Sequence, residues 1–183
     1  MRIIAGAARG KQLYAPSGMH TRPTTDRVKE SIFNIIQFRL SGARVLDLFA
    51  GSGQLGLECL SRGAAHCLFC DNDRAAAQVI RKNISLCKME EKSALFCGNW
   101  EAAAAQKGPG AFDIILLDPP YGGEILNQAL KYIMRFDILA ARGIIVCESA
   151  REDVLAPPAA PYALLKQYRY GASAVTTLTR EEP

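Results

Sequence analysis

The tetrapeptide Asp118-Pro119-Pro120-Tyr121 follows an apolar run, Phe112-Asp113-Ile114-Ile115-Leu116-Leu117, and sets a carboxylate, two prolines and an aromatic ring in consecutive positions. Proline lacks an N–H and has a fixed φ, so the pair stops a strand and stiffens the turn after it. The Asp118 carboxylate and the Pro119 carbonyl then stand side by side as two hydrogen-bond acceptors, with the flat face of Tyr121 beside them. That set suits a planar ring carrying an exocyclic amino group. Such an amine is a weak nucleophile because its lone pair is delocalised into the ring. Acceptors aimed at its two hydrogens favour the pyramidal, charge-developing geometry reached as it attacks a methyl group. A base must leave its stack to get there, and stacking on Tyr121 recovers part of that cost.

A second motif supplies a place for the other reactant. Gly51-Ser52-Gly53-Gln54-Leu55-Gly56 matches G-x-G-x-x-G between a strand-like run, Arg44-Val45-Leu46-Asp47-Leu48-Phe49, and a helical stretch, Gln54 to Ser61. Glycines let backbone N–H groups approach a ligand closely, and a helix N-terminus favours negative charge. Asp71, twenty residues after Gly51, is set to accept hydrogen bonds from ribose hydroxyls. NAD, FAD and S-adenosylmethionine all satisfy this pair. Asp47 tilts the choice, because a carboxylate there attracts an ammonium group, directly or through water, and repels the pyrophosphate of a dinucleotide.

The elements that must position these motifs alternate along the chain. Strand-like runs at 44–49, 67–70, 94–97, 112–117 and 143–147 are short, apolar and separated by helix-compatible sequence, as in a parallel sheet covered on both faces. Tyr162–Tyr170 and Ala172–Thr179 leave no room for a crossover helix, so they are expected to form an antiparallel hairpin at the sheet's edge. The expected fold class is α/β, a doubly wound, seven-stranded, mostly parallel sheet. Thr25 is expected to cap a helix from about Asp26 to Leu40, and a helix from about Asp73 to Cys87 follows the second strand. Residues 1–24, rich in Gly, Arg, Pro and Thr, read as a basic arm, partly extended or a small hairpin, on a domain spanning 25–183.

Composition bounds the function class. With 183 residues, 49% hydrophobic and 22% charged, the chain fits one globular domain that needs neither disulfides nor a structural metal. It has no apolar run near the 18 residues of a membrane span and no signal-peptide pattern at the start, so a cytoplasmic location and a monomer are the default expectations. Residues 1–44 carry eight basic and two acidic side chains, a surplus of +6, while 45–183 sum to −2. A basic end on a slightly acidic body fits a polyanionic partner. The six cysteines are expected to be reduced core residues. Cys67 and Cys70 would point to opposite faces of a strand, and with two histidines no metal site is expected.

Asp47-Leu48-Phe49-Ala50-Gly51-Ser52-Gly53 together with Asp118-Pro119-Pro120-Tyr121 resembles the amino-directed, S-adenosylmethionine-dependent methyltransferases of the Rossmann-like class. Arg2-Ile3-Ile4-Ala5-Gly6, Arg9-Gly10, Pro16-Ser17-Gly18, Thr21-Arg22-Pro23-Thr24 and Asp26-Arg27-Val28-Lys29-Glu30-Ser31-Ile32-Phe33-Asn34 are similar to the N-terminal signature of the RsmD family. That resemblance covers residues 2 to about 149. It implies methyl transfer to the exocyclic N2 of a guanine in 16S rRNA, within a small-subunit particle, with S-adenosylhomocysteine as the spent product. By resemblance, Asp47, Phe49, Gly51, Gly53, Asp71, Asn72, Asn99 and Trp100 hold the cofactor. Asp118, Pro119 and Tyr121 hold the guanine, Thr21–Thr24 lie near the mouth of the site, and Arg2, Arg9, Lys11, Arg22 and Arg27 meet RNA. One departure is visible: Gly122-Gly123-Glu124 stands where relatives often carry basic residues. The alternatives are a DNA amino methyltransferase acting on adenine N6 or cytosine N4, and a non-catalytic RNA-binding assembly factor. A nicotinamide oxidoreductase is more distant, lacking a Tyr-x-x-x-Lys.

Overall fold

The computed structural model describes residues 1–16, 26–120 and 123–182. Seven strands form one sheet: β1 (Arg44–Asp47), β2 (His66–Asp71), β3 (Ser93–Cys97), β4 (Phe112–Leu117), β5 (Leu139–Ala150), β6 (Tyr162–Tyr170) and β7 (Ser173–Arg180). The helices are α1 (Asp26–Ile36), α2 (Gln54–Ser61), α3 (Arg74–Cys87), α4 (Trp100–Ala105) and α5 (Gly123–Phe136). None of the described helices is long and apolar enough to cross a membrane.

The strand order is β3-β2-β1-β4-β5-β7-β6. β1 to β5 run parallel, and β7 pairs antiparallel with both β5 and β6. The chain steps from β1 outward to β3, then crosses back to lay β4 on the other side of β1. That reversal opens a crevice at the carboxyl ends of β1 and β4, where ligands of doubly wound sheets sit.

Period-two alternation divides the core into two layers. Val45, Cys67, Phe69, Ile114, Leu116, Ile144 and Val146 pack under α1, α2 and α3. Leu46, Leu68, Cys70, Ile115, Leu117, Ile145 and Cys147 pack under α4 and α5. Cys67 and Cys70 therefore lie on opposite faces of β2, as the pleat requires. All six cysteines are free thiols, but Cys97 is exposed rather than in the core, because it ends β3, the outermost strand.

Three boundaries depart from expectation. The first α-helix stops at Ile36, and Gln37–Arg39 tighten into a 3-10 turn that carries the chain toward β1. β1 itself ends at Asp47, before the glycine loop begins. β5 runs well beyond 143–147, because pairing with β7 from Ile144 to Ala150 prolongs it on one side and Leu139 pairs with Phe112 on the other. The Asp73 side chain caps α3 by accepting from the Ala75 N–H at 2.9 Å. The expected cap of α1, Thr25, lies outside the described residues.

The N-terminal segment is anchored. Residues 1–13 double back through the bridge Arg2–Gln12, with Ile3 N donating to Lys11 O at 3.0 Å and Leu13 N to Met1 O at 3.0 Å. Ile3, Ala8 and Leu13 are buried in the layer beneath α1 and α2. The fully buried Glu58 carboxylate accepts from the Ile4 and Ala5 N–H groups at 2.7 and 2.9 Å and from Arg62 at 2.8 Å. Ser61 receives the Ala7 N–H on its carbonyl and the Ala8 N–H on its hydroxyl. Gly6, at φ +82°, makes this contact possible: a Cβ there would lie 1.8 Å from the Ser61 carbonyl oxygen. Arg2, Arg9 and Lys11 face water, while the backbone of the segment is hydrogen-bonded to the body of the protein.

Candidate active site

At the carboxyl ends of β1, β4 and β5 lies a cavity of about 350 Å³. The glycine loop forms one wall. Gly51 and Gly53 sit at φ +56° and +78°, a region where side chains with a Cβ are strained, and Gly53 opens α2. The Gly51 N–H donates to one Asp71 oxygen at 2.7 Å, and the Asp73 N–H donates to the other at 2.9 Å. A carboxylate offers about four acceptor positions, so two remain for a ligand's hydroxyls. Gly56 serves packing instead. A Cβ there would meet the Phe69 ring at 2.4 Å and the Cys67 sulfur at 2.6 Å, so its bare backbone lets α2 rest on β2.

The electrostatics of the cavity follow from strand register. Asp47 pairs with Phe69 on β2 and with Leu116 on β4, which sets Asp71 and Asp118 two residues further along on the same face. Leu117 pairs with Cys147, so Glu148 stands beside Asp118. Four neighbouring strands thus each present a carboxylate on one side of the sheet, Asp47 and Asp71 at the ends of β1 and β2, Asp118 just past β4 and Glu148 two residues before the end of β5, and Asp153 adds a fifth to the lining. The described lining contains no Lys, Arg or His. Asp47, 1% exposed, accepts the Gly56 N–H at 2.9 Å. Burial pushes its pKa up to about 7, the Gly56 bond opposing, with the charges of Asp118 and Asp71 adding to the rise. A cavity of this kind favours cations and repels phosphates.

Phe49, Asn72 and Trp100 lie on the cavity wall, and the Phe49 and Trp100 rings stand 6.1 Å apart. Tyr132 on α5 braces Trp100 edge-to-face at 5.5 Å. Asp118, half-buried, Pro119 and Pro120 line the side facing β5. Tyr121, Arg22 and Thr21–Thr24 lie outside the described residues.

Asn99 does not reach the cavity. It is the N-cap of α4, where its side-chain oxygen accepts from the Glu101 N–H and its amide donates to the Glu101 carboxylate at 2.7 Å, turning it to the exterior. Arg2, Arg9, Lys11 and Arg27 are exposed and none lines the cavity, whereas Met1 and Pro16 do. Arg9 sits in the turn against Ser61, the far end of α2, about 10 Å of helix rise from the glycine loop.

Sequence reasoning missed the β5 and β7 side of the cavity: Glu148, Asp153, Tyr170 and Ser173. Glu148 follows the fifth apolar run as Asp118 follows the fourth, so its position carried a usable signal. Among the described residues no group of three or more His, Cys, Asp and Glu could hold a metal ion.

The family model described as "Conserved hypothetical protein 95" matches residues 1–179. Ribosomal RNA small subunit methyltransferase D of Escherichia coli K12 is 36% identical over 181 residues, covering 99% of this chain and 90% of that protein. The chain belongs to the RsmD family. A further relative, YlbH of Bacillus subtilis, named as a candidate rRNA methyltransferase, is 41% identical over 177 residues, 96% of each chain. The solved structure of yhhF from Escherichia coli, a candidate methyltransferase, superposes with a TM-score of 0.89 at 35% identity, covering 99% of this chain and 98% of that one. The seven-stranded sheet with its antiparallel terminal hairpin is thus the methyltransferase fold that this RsmD-family member shares with its structural neighbours.

Proposed function

We propose that this protein transfers a methyl group from S-adenosylmethionine to the exocyclic N2 of a guanine in 16S rRNA. The observation that carries this reading is one cavity that joins the glycine loop, bonded to Asp71, with the Asp118-Pro119-Pro120 turn, and whose wall, among the described residues, holds five carboxylates and no cationic side chain. That donor set fits a ligand with a sulfonium and an ammonium and disfavours a dinucleotide. The names of the RsmD-family relatives, which speak of ribosomal RNA, support the substrate class.

S-adenosylmethionine supplies, when bound, a methyl group on a positively charged sulfur that becomes neutral as the group leaves. The chain's residues do the rest. Gly51 and Gly53 admit the ligand to the backbone, Asp71 accepts from its ribose, and Phe49 and Trp100 offer flat apolar surface to its purine. Asp47 contributes negative charge from beneath. Asp118 and the Pro119 carbonyl each accept one hydrogen of the guanine amine, which aims the nitrogen lone pair along the cavity, and Asp118 takes the proton the amine sheds. Tyr121 stacks on the flipped-out base. Arg2, Arg9, Lys11, Arg22 and Arg27 hold backbone phosphates and so position rather than select.

The test uses small ribosomal subunits from a strain lacking this protein, incubated with the purified protein and isotopically labelled S-adenosylmethionine. Mass spectrometry of the nucleosides is expected to find label in N2-methylguanosine. Asp118→Ala is expected to abolish that label while calorimetric binding of the donor persists. Label on adenine N6 or cytosine N4, or full activity of Asp118→Ala, overturns the reading.

A further inference from the structure

We infer that Glu148 selects guanine over the other amino-bearing bases by accepting the ring N1–H that lies beside the reacting amine. The inference rests on the guanine reading above and names the residue that enforces it. β4 and β5 are adjacent parallel strands whose last paired residues are Leu117 and Cys147. Asp118 and Glu148 come next on each, about 4.8 Å apart by strand spacing. Their side chains share a face, continuing the alternation of Ile114 and Leu116 on one strand and Ile144 and Val146 on the other. Both line the cavity. One Glu148 carboxylate oxygen is sealed from bulk solvent. Glu148 also pairs with Val175 on β7, which holds its backbone in the sheet one residue past the last β4 pair.

Strand order separates the two halves of the cavity. The glycine loop and Asp71 belong to β1 and β2, on one side of β4, and Glu148 belongs to β5 on the other. It therefore faces what Asp118 holds from the side away from the glycine loop. The chemistry of the bases then decides what suits a carboxylate there. Guanine carries a ring N–H donor next to its amine. Adenine and cytosine carry a ring nitrogen lone pair in that place, which an anionic oxygen repels. Two neighbouring carboxylates match two neighbouring donors, and guanine has that edge. An anionic oxygen facing a ring lone pair is repelled where guanine would have given it a hydrogen bond, and that difference produces strong rejection of the other bases.

The experiment uses small-subunit particles reconstituted on 16S rRNA carrying, at the position the wild-type protein modifies, either guanosine or 2-aminopurine riboside. The latter keeps the 2-amino group and loses the N1 proton. Wild-type protein is expected to favour guanosine by at least about 100-fold in kcat/KM. In Glu148→Gln the side-chain amide can turn to accept from guanine or donate to 2-aminopurine, so the preference is expected to fall below about tenfold, with S-adenosylmethionine affinity unchanged by calorimetry. A residue that only braced the sheet would lower both rates and leave the ratio intact. Equal use of both particles by the wild type, or a wild-type ratio in Glu148→Gln, overturns the inference while N2-methylguanosine in the guanosine particle still upholds the reaction. Absence of N2-methylguanosine with the wild type overturns both.

Discussion

Asn83, wholly buried on α3, donates its side-chain amide to the carbonyl of Ser52 in the glycine loop at 2.8 Å. The same amide donates to the Tyr14 carbonyl at 3.0 Å, and the Asn83 oxygen accepts the Tyr14 N–H at 2.8 Å. One side chain thus joins the loop that forms the cavity wall to the N-terminal segment that carries Arg9 and Lys11. Met1 reinforces the link, its sulfur accepting from the Ser52 hydroxyl at 3.1 Å.

Asn83→Ala leaves the Ser52 carbonyl without its buried bond and breaks two part-buried bonds to Tyr14, and the expected loss is about 2 kcal/mol of stability in urea unfolding. Because the stranded Ser52 carbonyl belongs to the glycine loop, donor affinity is expected to fall about tenfold by calorimetry, equivalent to about 1.4 kcal/mol. A stability loss with donor affinity intact would confine Asn83 to holding the segment.

Asp47 makes two pH dependences testable. Its folded pKa, pushed up to about 7 by burial, exceeds the ordinary value of 3.8, so the folded protein binds more protons between those limits. Stability therefore declines as pH rises from about 4 to about 7 and then levels off. Asp47→Asn, which keeps an acceptor for the Gly56 N–H, is expected to remove that part of the decline in thermal melts across the range. A cationic donor favours the ionised form, so donor affinity is expected to rise from pH 6 to pH 8 in the wild type and to stay flat in Asp47→Asn. Parallel slopes in the two proteins would show that another group governs the effect.

Gly56→Ala brings a methyl group to 2.4 Å from the Phe69 ring and 2.6 Å from the Cys67 sulfur, both buried. Relief requires α2 to lift from β2, and overpacking of this kind costs about 1–3 kcal/mol. The chemical-denaturation midpoint is expected to drop accordingly, and donor affinity with it, because α2 begins at the loop. A midpoint equal to the wild type would mean that the helix shifts freely.

Neutralising Arg9 and Lys11 together is expected to weaken rRNA binding and to shallow its salt dependence by about 1.5 in the log–log slope, if each residue holds one phosphate. Methylation rates at saturating RNA are expected to hold, since neither residue lines the cavity. An unchanged slope would return these charges to a role in solubility.

The sheet was largely legible in the chain because its apolar runs are short and sharply punctuated, and Gly171 marks the turn of the terminal hairpin. The Asp118-Pro119 side of the cavity was legible for the same reason: prolines announce where a strand stops. Glu148 had the same place after an apolar run but a fainter mark, because Glu148-Ser149-Ala150 continues as strand under pairing with β7, with no turn residue to flag the exit. Asn99 was set beside the cofactor by resemblance, and a resemblance says nothing of a side chain's local duty, here capping α4. The anchoring of the N-terminus was equally hidden. It depends on Glu58 and Ser61, more than fifty residues away, on a helix buried on every side.

β7 is placed between β5 and β6. β7 follows β6 in the chain yet lies inside it in the sheet, so β5 gains its second neighbour, and the cavity its Tyr170–Ser173 border, only once residues 162–180 have docked as a hairpin. A polypeptide cut between β5 and β6 would keep the glycine loop and leave the cavity open along that flank.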